Sequence, residues 1–181
     1  MKKIMFMLAL FAAVAVQAAS ISWGVGNNAF SLASGSSYSS KNGVMVYLID
    51  AAYSDSIVEA IAAGSFSSST EGVLASKATT NTKGYIAVNE VTSSALTAGQ
   101  SYDFAALIVD TVNGQPYYNI TASMNKSAYT AGVDEVNTLS FSATAFNSGT
   151  GWTEAAGTPE PTSGLLLLLG GAMLALRRKQ K

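Results

Sequence analysis

Apolar segments at the two ends of the chain confine any folded domain to the residues between them. At the N-terminus, Lys2 and Lys3 precede an unbroken apolar run of 13 residues from Ile4 to Val16. At the C-terminus, an apolar run of 13 residues from Gly164 to Leu176 leads into a basic tail. As a helix each run is about 20 Å long, which is short for a bilayer core of about 30 Å. Both runs therefore fit targeting segments better than permanent membrane spans.

The N-terminal segment has the basic, apolar and small-residue parts of a secretory signal peptide. Small residues stand at Val16 and Ala18, the offsets that signal peptidase recognises. We therefore predict a signal peptide over residues 1–18, with cleavage after Ala18. Cleavage after Ala19 is less favoured, because it would place the bulky polar Gln17 three residues before the cut. The alternative is an uncleaved membrane anchor.

The C-terminal segment has three parts in a fixed order. Pro159, Glu160 and Pro161 come first, and proline interrupts regular structure because it lacks a backbone N–H. The apolar run follows. A basic stop then closes the chain, and the positive-inside rule predicts that its charges stay in the cytoplasm. These charges are carried by Arg177, Arg178, Lys179 and Lys181.

Residues 159–181, PEPTSGLLLLLGGAMLALRRKQK, resemble the PEP-CTERM sorting signal of bacteria. The resemblance implies processing near the Pro-Glu-Pro motif by an exosortase. It further implies a transient stay in the cytoplasmic membrane with the C-terminus inside, followed by release to the cell surface or extracellular matrix. Exopolysaccharide or other envelope components are then the expected partners, with signal peptidase and exosortase as processing enzymes. The alternative is an ordinary single-span anchor.

The residues between the signals, 19–158, exclude several classes of function by composition. They contain four lysines, no arginine and ten carboxylates, which gives a formal charge of −6. Nucleic-acid binding is not expected, because it needs clustered basic side chains. Cysteine and histidine are absent, which excludes His/Cys zinc sites, histidine-based triads and thiol nucleophiles. No metal or cofactor is predicted, and the core alone must hold the domain together.

Apolar patterning predicts a mainly β fold, a single small β-sandwich-like domain over residues 19–146. Continuous apolar runs at Val44–Ile49 and Tyr102–Val109 are typical of strands covered on both faces. Tyr85–Val88 forms a further strand, and residues 139–145 alternate as in a half-buried strand. A Gly/Ser-rich linker over 147–158 then leads to the sorting signal. The predicted core consists of Val44, Val46, Leu48, Ile86, Val88, Phe104, Ile108, Leu139 and Phe141.

Local signals predict one hairpin and one short helix. Asn113-Gly114 tolerates the positive φ of a type I′ turn, and Pro116 beside it indicates an edge or a bulge. A helix is predicted over residues 55–63. Ser56 and Glu59 would form its capping box, and Gly64 would end it.

Candidate catalytic groups are limited to carboxylates. Asp50, Asp55 and Glu59 lie close together after a buried strand and could supply the acid and base of a glycosidase. Structural roles at a strand end and a helix N-terminus explain the same residues better. We therefore assign no catalytic residue and expect a protein that is not an enzyme.

Candidate binding groups are also weak in the sequence. Asp134 and Glu135 could bind Ca²⁺ together with other loop oxygens, although solvated loop acids are favoured, and the stretch Asp110–Gly114 only distantly resembles a Ca²⁺ loop. Tyr117, Tyr118 and Trp152 could stack on sugars, although core or edge packing is favoured. The tripeptides at residues 119–121 and 125–127 match the N-glycosylation sequon, which is interpreted as chance in a bacterium.

The sequence thus favours a structural or adhesive surface protein without enzymatic activity. Two alternatives remain open, a carbohydrate-binding module and a small carboxylate-dependent glycoside hydrolase.

Overall fold

The computed structural model describes residues 19–26, 32–34, 44–79, 85–131, 138–142, 145–146 and 151–156. These residues contain ten strands and one α-helix, α1 (Ser54–Ala62), which follows a 3-10 turn at Ala51–Tyr53. The strands are β1 (Ala19–Val25), β2 (Met45–Asp50), β3 (Val73–Ala78), β4 (Ile86–Ser93), β5 (Ser101–Val112), β6 (Gln115–Ile120), β7 (Met124–Ser127), β8 (Tyr129–Thr130), β9 (Thr138–Phe141) and β10 (Thr153–Glu154).

The strands form two sheets whose ladders are antiparallel except for one. In the first sheet β1 is central, with β4 on one side and β8 and the parallel strand β9 as further partners. The second sheet has the order β10-β6-β5-β2-β3, and β7 also pairs with β5. The predicted mainly β fold with one short helix is therefore confirmed.

The second sheet is covered on both faces, which explains its continuous apolar strands. One core cluster joins Val46 and Leu48 of β2 to Ile21 and Trp23 of β1, so the two sheets pack face to face. On the opposite face, Ile57 and Ile61 of α1 pack in a second cluster with strand residues. These strand residues are Ile49, Ala105, Leu107 and Ile120.

The start of α1 differs from the prediction, and the capping box is wrong. Ser56 Oγ donates to the carbonyl of Tyr53 at 2.9 Å and so caps no backbone N–H. Asp50 caps instead, because its Oδ1 accepts from Ala52 N at 3.0 Å and begins the 3-10 turn. The helical segment therefore begins about one turn before the predicted first residue. The residue that caps it, Asp50, lies six positions before the predicted cap, Ser56.

The end of α1 confirms the role predicted for Gly64. This glycine has φ +68°, and its N–H bonds to the carbonyl of Ile61 at 3.1 Å. Ser65 N bonds to the carbonyl of Ala60 at 2.9 Å. The two bonds form a Schellman motif, which satisfies carbonyls at the helix end.

The hairpin between β5 and β6 also has the predicted form. Asn113 and Gly114 have φ of 52° and 83°, as a type I′ turn requires. Pro116 lies opposite Thr111, next to the turn-closing pair, so its backbone faces away from β5. Its carbonyl accepts from Ala155 N at 2.9 Å on that outer side. The missing N–H of Pro116 therefore removes no hydrogen bond between β5 and β6.

The predicted core is confirmed for seven residues. Val44 is only partly buried, and Val88 is wrong because its side chain is 58% exposed. A β-bulge is the reason. Trp23 pairs with Asn89 and Val25 pairs with Ile86, so β4 has one residue more than β1 over this stretch. The extra residue turns Val88 outward although Ile86 points inward.

Two segments of the fold were not predicted from the sequence patterns. Strand β1 supplies Ala19, Ile21, Trp23 and Val25 to the core between the sheets. Residues 151–156 of the predicted linker are docked on the domain, because β10 pairs with β6 and Ala155 is buried.

The predicted signals at residues 1–18 and 159–181 lie outside the described residues, as do Ala18 and the Pro-Glu-Pro motif. Within the described ranges, no helix combines the length and the apolar character needed to cross a membrane.

Candidate functional site

The three carboxylates considered for a glycosidase lie at the end of a strand and on the helix that follows it, as the sequence analysis favoured. Asp50 Oδ1 is engaged with Ala52 N as a cap. Asp55 stands in the first turn of α1, where a negative charge complements the helix dipole. Glu59 is exposed on the same helix. Of the three, Asp50 alone lines the cleft described next, so the structure does not gather these groups into one site.

The cleft lies where β2 ends and β5 begins, and its volume is ≈ 370 Å³. It contains a second carboxylate, Asp103, which the sequence reasoning missed. Asp103 Oδ1 accepts from Asn125 Nδ2 at 2.9 Å, and the hydroxyl of Tyr102 accepts from Thr97 N at 2.9 Å. Ser101 Oγ also bonds to Ser127 Oγ at 2.9 Å, so much of the polar lining already serves internal hydrogen bonds. The lining residues are Asp50, Ala51, Ala52, Ser101, Tyr102, Asp103 and Ser123.

A different arrangement stands at the β5-β6-β10 edge of the second sheet. Asp110 lies directly opposite Tyr117, and Tyr117 lies directly opposite Glu154, so three strands contribute one row. Side chains of residues opposite each other share a face, with Cβ atoms about 5 Å apart. Asp110 is on the same face as Ile108, which belongs to the core between the sheets. The row therefore continues the inner face of the sandwich.

A second row lies beside the first on the same face. Ile108 is opposite Asn119, and Trp152 precedes the pair of Thr153 with Tyr118 by one residue. Trp152 is partly buried against the core between the sheets, which places it on the face of Asn119. We call Asp110, Tyr117, Asn119, Trp152 and Glu154 the edge grid.

Two oxygens of the edge grid are buried without a hydrogen-bond partner among the described residues. They are Asp110 Oδ2 and Asn119 Oδ1, and Asn119 is only 4% exposed. The other oxygen of Asp110 accepts from Thr111 N at 2.8 Å. Leaving a buried polar group unpaired costs about 1–3 kcal/mol, so native proteins rarely tolerate it without a reason. Trp23 Nε1, in the core cluster between the two sheets, is a further buried atom without a hydrogen-bond partner.

Two of the aromatic candidates for sugar binding lie on opposite faces of one strand. Tyr117 and Tyr118 are neighbours on β6, and successive side chains of a strand point to opposite faces. Tyr118 packs against the cluster under α1, whereas Tyr117 belongs to the edge grid. Both residues are half-buried, and no pattern in the sequence showed which residues stand beside them.

The calcium candidates receive no support from geometry. Residues 110–114 form the end of β5 and its hairpin turn, and Asp134 and Glu135 lie outside the described residues. In the part of the chain that the structure describes, no three metal-binding side chains come together.

The two sequons are also placed in the fold. Asn119 is buried in β6, and Asn125 donates its amide to Asp103 from β7. In the folded domain, Asn119 is thus inaccessible to a glycosylating enzyme.

Burial on the helix side of the second sheet affects one titratable group. Tyr47 stacks edge-on against Phe66, with ring centroids 4.8 Å apart and planes at 74°. Desolvation by this packing raises the pKa of Tyr47 above its usual value.

Comparison with family models, with curated proteins and with solved structures finds no match to this chain. The resemblance of residues 159–181 to a sorting signal therefore stays a prediction from those residues.

Proposed function

We propose that the chain is an exported, non-enzymatic protein of the bacterial surface or extracellular matrix. Signal peptidase removes residues 1–18, and an exosortase processes the chain at the Pro-Glu-Pro motif. The C-terminal helix holds the precursor in the cytoplasmic membrane until then. The domain that remains is structural or adhesive.

One observation carries this proposal: every strand that the structure describes lies between the two predicted signals. Strand β1 begins at Ala19, the residue after the predicted cut. Strand β10, Thr153–Glu154, is the last described strand and precedes Pro159. Removal of either predicted signal would therefore leave all the described strands in the chain, which is what a processed precursor requires.

The non-enzymatic character is supported by the state of the carboxylates. General acid–base catalysis needs a group whose pKa is tuned for proton transfer and whose geometry is open to substrate. Asp50 caps a backbone N–H, and Asp103 is bonded to Asn125. Each of these two carboxylates of the cleft therefore has a structural hydrogen-bond partner, which supports a structural role for both.

A second candidate function, glycan binding, is favoured by the edge grid. Asp110, Tyr117 and Trp152 are half-buried and Glu154 is exposed. Rings beside carboxylates suit hydroxyl-rich ligands, because rings offer apolar faces and carboxylates accept from hydroxyls. This candidate is compatible with the first, since an adhesive matrix protein needs a partner.

The sorting proposal is tested by expressing the full chain in a host that has an exosortase. Replacement of Pro159, Glu160 and Pro161 by alanine should leave the protein in the membrane fraction with its basic tail intact. The matched control replaces Thr162 and Ser163 by alanine, and this variant should be processed as the unaltered chain is. Equal processing of both variants would refute the role of the motif.

A further inference from the structure

Strand β1 is the strand on which the first sheet is assembled. Among the described strands of that sheet, β4 lies on one side of β1 and β8 and β9 lie on the other, and each of them pairs with β1 alone. The core side chains of β1 are at most 1% exposed, and they are Ala19, Ile21, Trp23 and Val25. The first sheet therefore forms only when β1 lies between its neighbours.

The partners of β1 come from distant parts of the chain. Strand β4 begins at Ile86, and the parallel partner β9 ends at Phe141. Pairing between segments that are far apart in sequence is slow, because the long loops have to close before any contact stabilises them. In a chain that is exported from its N-terminus onward, β1 arrives before the strands that hold it.

The bond that signal peptidase is predicted to cut lies directly before β1. Ala19 pairs with Ser93 on one side and with Thr130 on the other, and it is fully buried. Proteases act on extended and accessible chain, so a bond beside a paired strand is reached only when that strand opens. Cleavage after Ala18 therefore belongs to the state in which β1 is not yet inserted.

The predicted signal also leaves too little chain for β1 to insert while the precursor is anchored. The apolar run ends at Val16, so only Gln17 and Ala18 separate it from β1. Two extended residues span about 7 Å, and the headgroup layer outside the hydrocarbon core is about 5–8 Å thick. Insertion of β1 would therefore bring the ends of β4 and β8 that pair with Ala19 into the headgroup layer.

We propose that removal of the signal peptide is the step that permits β1 to insert and the first sheet to form. The anchored precursor keeps its N-terminal strand out of the sandwich and so stays accessible to signal peptidase, and the mature chain completes the fold. This inference rests on the export proposed above and adds an order of events to it.

Two introduced thiols report on the insertion of β1. The chain contains no cysteine, so each reporter is its only thiol. Val25→Cys places a thiol on β1 where the side chain is 1% exposed, and Val88→Cys places one on β4 where it is 58% exposed. A maleimide labels a buried thiol only when the surrounding structure opens, so the ratio of the two labelling rates measures whether β1 is inserted.

Each reporter is placed in three full chains, which are expressed in a secreting host and labelled in spheroplasts. The first chain has the unaltered signal. The second carries Ala18→Leu, which removes a small residue that signal peptidase recognises. The third carries Ala18→Leu and a Gly/Ser linker of about 20 residues between positions 18 and 19, whose mean span of about 25 Å frees β1 from the bilayer surface. For the second and third chains, labelling is scored on the gel band that retains the signal.

In the cleaved, unaltered chain the thiol at position 25 should be labelled at least about tenfold more slowly than the thiol at position 88. The uncleaved Ala18→Leu chain should lose this difference, and the linker should restore it although the signal is still attached. Protection of position 25 in the uncleaved chain without the linker would overturn the proposal, and so would a linker that fails to restore protection.

The mass of the unaltered chain tests the proposed export separately. An unaltered chain that retains residues 1–18 would refute export with cleavage, whereas the labelling ratios of the two uncleaved chains decide whether the insertion of β1 depends on the length of its tether.

Discussion

Substitution of Gly72 by alanine should be among the most destabilising small changes in this domain. Gly72 has φ +86°, and its carbonyl accepts from Asp50 N at 2.9 Å, where β2 leads into the 3-10 turn. A Cβ added there would lie 2.3 Å from Cβ of Tyr53 and 2.7 Å from Cγ. Because the nearer of these atoms is the first of the Tyr53 side chain, rotation of the ring cannot relieve the overlap.

The expected magnitude has two parts. Left-handed backbone costs a residue with a Cβ about 1–2 kcal/mol, and overpacking costs about 1–3 kcal/mol more. Gly72→Ala should therefore lower the free energy of unfolding by about 2–5 kcal/mol. The added Cβ would also displace Tyr53 and with it the neighbouring residues Asp50, Ala51 and Ala52, which line the cleft.

Gly64→Ala is the matched control for this prediction. Gly64 has φ +68°, but no atom lies within 4 Å of its added Cβ. Its cost should be the backbone part alone, about 1–2 kcal/mol. Both variants are compared by urea unfolding of residues 19–158, which should fold without metal or disulfide. Equal losses in the two variants would show that the contact with Tyr53 does not exist as described.

Three other predictions concern single side chains. Val88→Thr should change the free energy of unfolding by less than about 0.5 kcal/mol, whereas Ile86→Thr should lower it by more than about 1 kcal/mol. A urea unfolding experiment that ranks the two variants the other way would contradict the bulge in β4. Purified protein should hydrolyse no polysaccharide, and turnover that disappears in folded Asp50→Ala or Glu59→Ala would establish the glycosidase alternative. The raised pKa of Tyr47 keeps this side chain protonated in the folded state while it ionises in the unfolded chain, so stability should fall as pH rises above about 10. Tyr47→Phe should flatten that fall, and an unchanged slope would refute it.

Local patterns in the sequence were sufficient for elements that local chemistry determines. The continuous apolar run of β2, the Asn113-Gly114 turn and the Gly64 helix end all depend on residues within a few positions of one another. Strand β1 was missed although Ile21, Trp23 and Val25 alternate as a half-buried strand should. These residues directly follow the predicted signal peptide, and the same positions also match a cleavage site.

The elements that could not be predicted depend on contacts between distant residues. Val88 follows Ile86 at the spacing of a strand face, and only the pairing with β1 shows that a bulge separates them. The edge grid has the same origin. Asp110, Tyr117 and Glu154 come together because β6 pairs with β5 and β10, and no local pattern specifies those registers.

Mass spectrometry of the protein isolated from its native envelope tests the central claim most directly. The claim is that a β domain is exported and separated from both of its terminal signals. The mature chain should begin at Ala19 and give no peptide from Leu165–Lys181. A chain that begins at Met1, or one that keeps the tail through Lys181, would contradict the account.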